Sequence, residues 1–294
     1  MNAQLDRNEK LLRLAEVSET GLITLFCRAH ESRSEKPLLV DQKADQIAAQ
    51  IAPLLRQSDS KLLRSLGHGK LRKSLSIMMA ARAQQFDTYT RDFLVRHPDG
   101  VVVNLGCGLD SRFDRLDDGR LILFDLDLPE MIEFKRQFFS ENERYHLIGA
   151  SVFDEGWRAQ IAALRRPVLF LAEGLFMYLP EEKVKELVRT LNREFPGSEL
   201  VCEVVNKKWL QKSRGSMVKF KMRKQLNIGK GASFVFGIWD GREMEGWDAG
   251  IQLMDEWTYF DADLSKIGVM RWLGKIKAYR KIQWTVHYRL AGAA

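Results

Sequence analysis

The sequence predicts an α/β protein built on a doubly wound, mostly parallel sheet, and three observations predict it. Four apolar runs of strand length recur: "VVVNL" from Val101, "RLILFDL" from Arg120, "PVLFLA" from Pro167 and "SELVCEVV" from Ser198. Between them lie stretches with apolar residues three and four apart, the helical period. The runs are nearly continuous rather than alternating, which suits a parallel sheet covered on both faces. Strand, helix and strand repeated in that order give the doubly wound arrangement, with its ligand crevice at the carboxyl ends of the strands.

Residues 1–98 read as a helical cap that ends at the turn "HPDG", His97 to Gly100, and residues 99–294 read as the core. After the second run, "PEMIEFKRQFFSENE" opens with Pro-Glu, a good first helical turn, and so does "PEEKVKELVRTLNREF" after the third. The second helix should stop at Pro196-Gly197. A weaker strand is expected in "RYHLIGAS" from Arg144, and two more in "GIQLMDEWTYF" and "KIQWTVHYRL", with a helix between them. The last of these is rich in aromatic and β-branched residues and has no following helix, so it should be a terminal antiparallel strand.

Bulk properties bound the function. With 294 residues, 45% of them apolar, the chain can bury a large core. Three scattered cysteines, Cys27, Cys107 and Cys202, argue against a disulfide framework or a zinc site, and no run of 18 uncharged apolar residues suggests a membrane span. The expectation is a cytoplasmic protein with no metal and no membrane insertion. The net charge of +7 is local: from Lys207 to Lys230 nine basic residues occur without an acid, leaving −2 for the rest. An insertion at about 206–245 is therefore expected to be a basic lid, suited to an anionic acceptor. A nucleic-acid-binding module is the rival reading, but the stretch lacks the interleaved aromatic platform that such modules use.

The first strand runs into "NLGCGLDSRFDRL". Gly106 and Gly108 permit a tight turn with close backbone approach to a nucleotide-type ligand. The next strand ends in "FDLD", where Asp125 or Asp127 lies 17 or 19 positions after Gly108 and could accept from ribose hydroxyls. NAD would need a pyrophosphate on the following helix terminus, beside Asp110 and without a third small glycine or alanine. S-adenosylmethionine carries an ammonium and a sulfonium, which acids favour. The stretch "VLFLAEGLFMYLP" places an ionisable group, Glu173, in the strongest apolar run, where it needs a partner.

"NLGCGLDSR", "FDLDLPEMIEFKR" and "FLAEGLFMYLP" resemble the successive signature segments of the leucine carboxyl methyltransferase family of class I, Rossmann-like methyltransferases, which includes O-methyltransferases of polyketide biosynthesis. The resemblance runs from about Phe26 to about Val205 and implies a seven-stranded sheet and S-adenosylmethionine as cofactor. It implies that Arg82, opening "RAQQFD", pairs with the methionyl carboxylate, with Arg28 as a second basic contact. It puts Gly106 under the methionyl portion, Asp127 on the ribose, Ser151 and Val152 at the adenine edge, and Glu173 on the cofactor's ammonium. An aspartate is more usual where Ser151 stands, and Asp154 is the residue that could compensate. Tyr178 is the candidate to line the acceptor pocket. The acceptor implied is a carboxylate or hydroxyl of a small, polyketide-like molecule or a peptide.

Overall fold

The computed structural model describes residues 19–213, 234–262 and 277–292. Seven strands form one sheet in the order β3-β2-β1-β4-β5-β7-β6. They are β1 (Val101–Leu105), β2 (Ile122–Asp127), β3 (Tyr145–Gly149), β4 (Val168–Ala172), β5 (Ser198–Val205), β6 (Ile251–Thr258) and β7 (Gln283–Leu290). The pairs among β1 to β5 are parallel, whereas β7 lies antiparallel to both β5 and β6. The expected carboxyl-terminal antiparallel strand is thus present, and it sits between β5 and β6.

Among the described residues four helices precede the sheet: α1 (Glu19–Ser32), α2 (Gln42–Leu55), α3 (Lys61–Gly67) and α4 (Lys73–Arg96). Asp41 caps α2 by accepting from the Ala44 amide at 2.9 Å, and Ser60 caps α3. Helix α4 stops before Pro98, whose ring disfavours helical geometry in the residue ahead of it. The short α5 (Arg112–Leu116) follows β1, α6 (Pro129–Lys135) follows β2 with proline in its first turn, and α7 (Glu155–Ala162) follows β3. Helices α8 (Glu181–Glu194), α9 (Lys207–Ser213) and α10 (Lys277–Arg280) complete the described set. Most of the helix expected between the last two strands lies outside the described residues.

Strand alternation divides the core in two. Val101, Val103, Phe170, Ala172, Leu200 and Cys202 pack with α7 and α8 on one face. Val102, Leu123, Leu169, Leu171 and Val201 pack on the other face with Leu22, Leu25, Ile47, Phe86 and Phe93 of α1, α2 and α4. The amino-terminal helices therefore share one apolar core with the sheet. Continuing the two-residue period, Asn104, Asp125, Glu173, Glu199 and Glu203 fall on this second face. Polar groups of the strands thus meet the amino-terminal helices, and the contacts below follow from that.

One of these contacts fastens the end of α4. Arg96 hydrogen-bonds both oxygens of Glu199, and His287 Nε2 lies 2.8 Å from the same carboxylate. Burial opposes ionisation of Glu199, but hydrogen bonds from Arg96 and His287 outweigh it and hold the pKa at about 2, down from 4.5. A depressed carboxylate stabilises the fold above its unfolded pKa and loses that contribution as pH falls through the folded value. Chemical denaturation between about pH 5 and pH 2 should show the wild type losing stability steadily, while Glu199→Gln starts lower and has a flatter acid limb. Parallel slopes for the two proteins would remove this role.

Candidate active site

The glycine loop lies between the ends of β1 and β2. Gly106 and Gly108 have φ of +66° and +49°, a region that L side chains rarely adopt. A Cβ on Gly106 would also stand 2.8 Å from Leu175 Cδ1. The loop is tied to β2 by Gly106 N and Cys107 N, which donate to Leu126 O at 2.8 and 3.1 Å. Gly108 N donates to Asp127 Oδ2 at 2.7 Å, and Leu128 N donates to Oδ1 at 2.8 Å. Burial pushes the Asp127 carboxyl above its ordinary range despite those amides.

Asp125 and Asp127 point the same way but differ in what they do. Asp125 was a candidate ribose ligand, yet it is only 2% exposed and fully engaged. It accepts from Asn104 Nδ2 at 3.0 Å and Tyr145 Oη at 2.6 Å, and pairs with Lys135 Nζ at 2.7 Å. Asp127 keeps partial exposure at the strand end. Ser151 and Val152 sit in the turn after β3, next to Asp127, whose carbonyl accepts from Ala150 N at 2.9 Å. The Asp154 carboxylate turns back onto Ser151 N at 2.9 Å, so it braces this turn.

The acid in the apolar run has two cationic partners within the chain. Glu173 Oε1 accepts from Arg82 Nε at 2.8 Å and Oε2 from Arg112 Nη2 at 2.9 Å. Arg82 reaches on to Glu203 at 2.8 Å, and Arg112 to Asp87 at 2.9 Å and Asp110 at 2.7 Å. Arg115 contacts Asp87, Asp110 and Asp41, and Asp41 pairs with Arg28 at 2.8 Å. A continuous chain of ion pairs therefore runs from α1 to β5. Arg28, expected as a second cofactor contact, also donates to Leu109 O at 2.7 Å and so holds α1 against the glycine loop.

Burial opposes the charge on Glu173, but Arg82 and Arg112 overcome it and lower its pKa. Arg112 and Arg115 do the same for Asp110. Asp110 consequently does not present the free negative charge expected to repel a pyrophosphate. Arg112, Arg115, Asp41, Asp87 and Glu203 were not anticipated as parts of the site. The rule that singled out Glu173, an acid inside an apolar run, applies equally to Glu203 in "SELVCEVV".

Tyr178 ends a 3-10 turn, Phe176–Tyr178, and its ring lies 5.4 Å from that of Phe234. The segment after residue 233 is pinned there by Val235 N donating to Met177 O at 2.9 Å. Burial pushes the Tyr178 phenol up to about 12, with Glu203 adding to the rise, so at neutral pH it is a donor rather than a base. Of the expected lid, Lys207 pairs with Glu181 at 2.8 Å and Lys208 is exposed. The side chain of Lys212 and all residues from Arg214 to Lys230 lie outside the described residues. Among the described residues no cluster could hold a metal ion, and no helix is long and apolar enough to cross a membrane.

Removing one charge from a buried, doubly paired site leaves its partners uncompensated. Glu173→Gln should therefore cost about 3 kcal/mol of unfolding free energy, read from the urea midpoint. An unchanged midpoint would show that the two guanidiniums find other partners.

Comparison with known proteins identifies the family and the fold. The profile of the leucine carboxyl methyltransferase family matches residues 21–192. The tetracenomycin polyketide synthesis O-methyltransferase TcmP of Streptomyces glaucescens is 32% identical over 266 residues, 90% of this chain and 91% of that protein. An S-adenosyl-L-methionine-dependent methyltransferase of Gibberella zeae, dpfgK, is 31% identical over 92% of this chain and 90% of its own length. Among solved structures, a DUF574 family protein from Streptomyces avermitilis has the same fold, with a TM-score of 0.53 over 82% of this chain and 96% of that one, at 14% identity. The chain belongs to the leucine carboxyl methyltransferase family of S-adenosylmethionine-dependent methyltransferases.

Proposed function

We propose that the protein methylates an oxygen, of a carboxylate or a hydroxyl, on a small polyketide-like acceptor. The single observation that carries the cofactor side is the Gly106–Gly108 loop, whose two glycines hold positive φ and whose Gly108 amide is fastened to Asp127. This cradle fits the nucleoside, with Asp127 for the ribose and Ser151 and Val152 at the adenine edge. Arg82 and Glu173 offer a guanidinium and a carboxylate of opposite sign for a zwitterionic methionyl group, with Arg28 behind the loop. When bound, S-adenosylmethionine supplies an electrophilic methyl on sulfur.

The chain's own contribution is placement and desolvation. Arg82 and Glu173 are locked by ion pairs, so they need no reorganisation to meet charge. Tyr178 and Phe234 give the acceptor side an aromatic wall, and the Tyr178 hydroxyl is a donor for the acceptor's oxygen. The oxygen preference and small-molecule class are supported by the relationship to TcmP over nearly the full length of both chains. The basic 207–230 stretch adds a preference for an anionic acceptor, drawn in by its field.

Two measurements test the proposal. Incubation with methyl-labelled S-adenosylmethionine and a panel of aromatic carboxylic acids and phenols should label an acceptor, and alkali lability separates an ester from an ether. Labelling confined to amine acceptors would overturn it, as would saturable binding of NAD but not of S-adenosylhomocysteine. Tyr178→Ala should raise the acceptor KM about tenfold or more while leaving cofactor affinity nearly unchanged, because it removes a wall of the acceptor side only.

A further inference from the structure

The ion-pair chain ends on an acid that differs from the others. Asp41 touches Arg28 and Arg115, Asp87 and Asp110 each touch Arg112 and Arg115, and Glu173 touches Arg82 and Arg112. Each of these four carboxylates has two guanidiniums. Glu203 has one, Arg82, and shares it with Glu173. Among the described residues the chain therefore joins four guanidiniums to five carboxylates. The odd acid is fully buried and completes its shell with neutral groups, Tyr259 Oη and Gln283 Nε2, the latter at 2.7 Å.

We propose that Glu203 balances charge at the cofactor site: it holds a proton while no cation is bound and gives it up when a sulfonium-bearing cofactor enters. The inference rests on the reading that this crevice takes S-adenosylmethionine. Burial is the largest influence on Glu203 and pushes its carboxyl up despite Arg82 and Tyr259, and the like charge of Glu173 adds to the rise. Asp41, Asp110 and Glu173 are held down instead. A proton on Glu203 has a partner, because the Tyr259 hydroxyl can turn from donor to acceptor.

The charged and titratable groups facing Glu203 come from every element around it. They are Arg82 on α4, Glu173 at the end of β4, Tyr259 after β6, Tyr178 in the 3-10 turn and the neighbouring Cys202 on β5. Of these, Tyr178, Tyr259 and Cys202 are all pushed upward by burial and stay neutral at ordinary pH. Glu203, whose carboxyl is pushed up by burial and by the like charge of Glu173, is left as the group there to exchange a proton when a cation enters.

The two cofactor forms differ by one positive charge. When the methyl group leaves sulfur for an acceptor oxygen, the electron pair of the broken C–S bond stays on sulfur as a neutral thioether. Glu203 then regains one proton. In a transfer to a hydroxyl, the O–H proton lost by the acceptor balances it; in a transfer to a carboxylate, water supplies it.

Calorimetric titration of the wild-type protein with S-adenosylmethionine and with S-adenosylhomocysteine, without acceptor and in buffers of different ionisation heat, counts the protons exchanged. Across a pH series, S-adenosylmethionine should release more protons than S-adenosylhomocysteine, by up to about one. In Glu203→Gln the difference should vanish. Equal proton counts in the wild type at every pH overturn the inference while leaving the cofactor site standing. A difference that persists in Glu203→Gln assigns the proton elsewhere and also overturns it. Failure of both compounds to bind would overturn the functional reading, and this inference with it.

Discussion

The alternation of side chains along β-strands decides how this molecule must be built. Once Leu169, Leu171 and Val201 face the amino-terminal helices, Glu173 and Glu203 face them too. Carboxylates in such a place cost several kcal/mol each unless cations meet them. Two helices supply those cations: Arg82 from α4 reaches both acids, and Arg112 from the short α5 reaches Glu173, while Arg28 and Arg115 extend the chain through Asp41, Asp87 and Asp110. Helices α4 and α5 thus carry the counter-charge of these strand acids, and the strand ends cannot be covered by an uncharged layer without leaving acids unpaired.

The same chain links parts of the molecule that are distant in sequence and function. Arg82 joins a helix to two strands, across 91 and 121 residues. Gly174 lies beside this pair with φ of +67°, a backbone conformation that L side chains rarely adopt. A substitution at any member would therefore be felt by the others, and effects along the chain should not add.

Most of the fold could be read from local pattern. The strands from Val101, Arg120, Pro167 and Ser198, the weak strand at Tyr145 and the two carboxyl-terminal strands are all present, because apolar runs and β-branched residues speak for themselves. The glycine loop was equally legible, since positive φ demands glycine. What could not be read was pairing. Periodicity flagged Glu173 as needing a partner but cannot say that Arg112, 61 residues away, is one of two. Nor could it separate Asp125 from Asp127, because both lie on one face and only Tyr145, Lys135 and Asn104 withdraw the first from the crevice.

The choice of cofactor illustrates how a correct expectation can rest on the wrong force. Repulsion by Asp110 cannot exclude a pyrophosphate, because Arg112 and Arg115 compensate its charge. The obstacle lies in the start of α5, a helix of five residues with little dipole to offer. Its opening residues are already engaged: Ser111 Oγ donates to Asp41, Asp110 accepts from Asn104 at 3.0 Å, and Arg112 holds Asp87 and Glu173. A phosphate placed there would have to break the ion chain that joins the helices to the sheet. A ligand without phosphates leaves the chain whole.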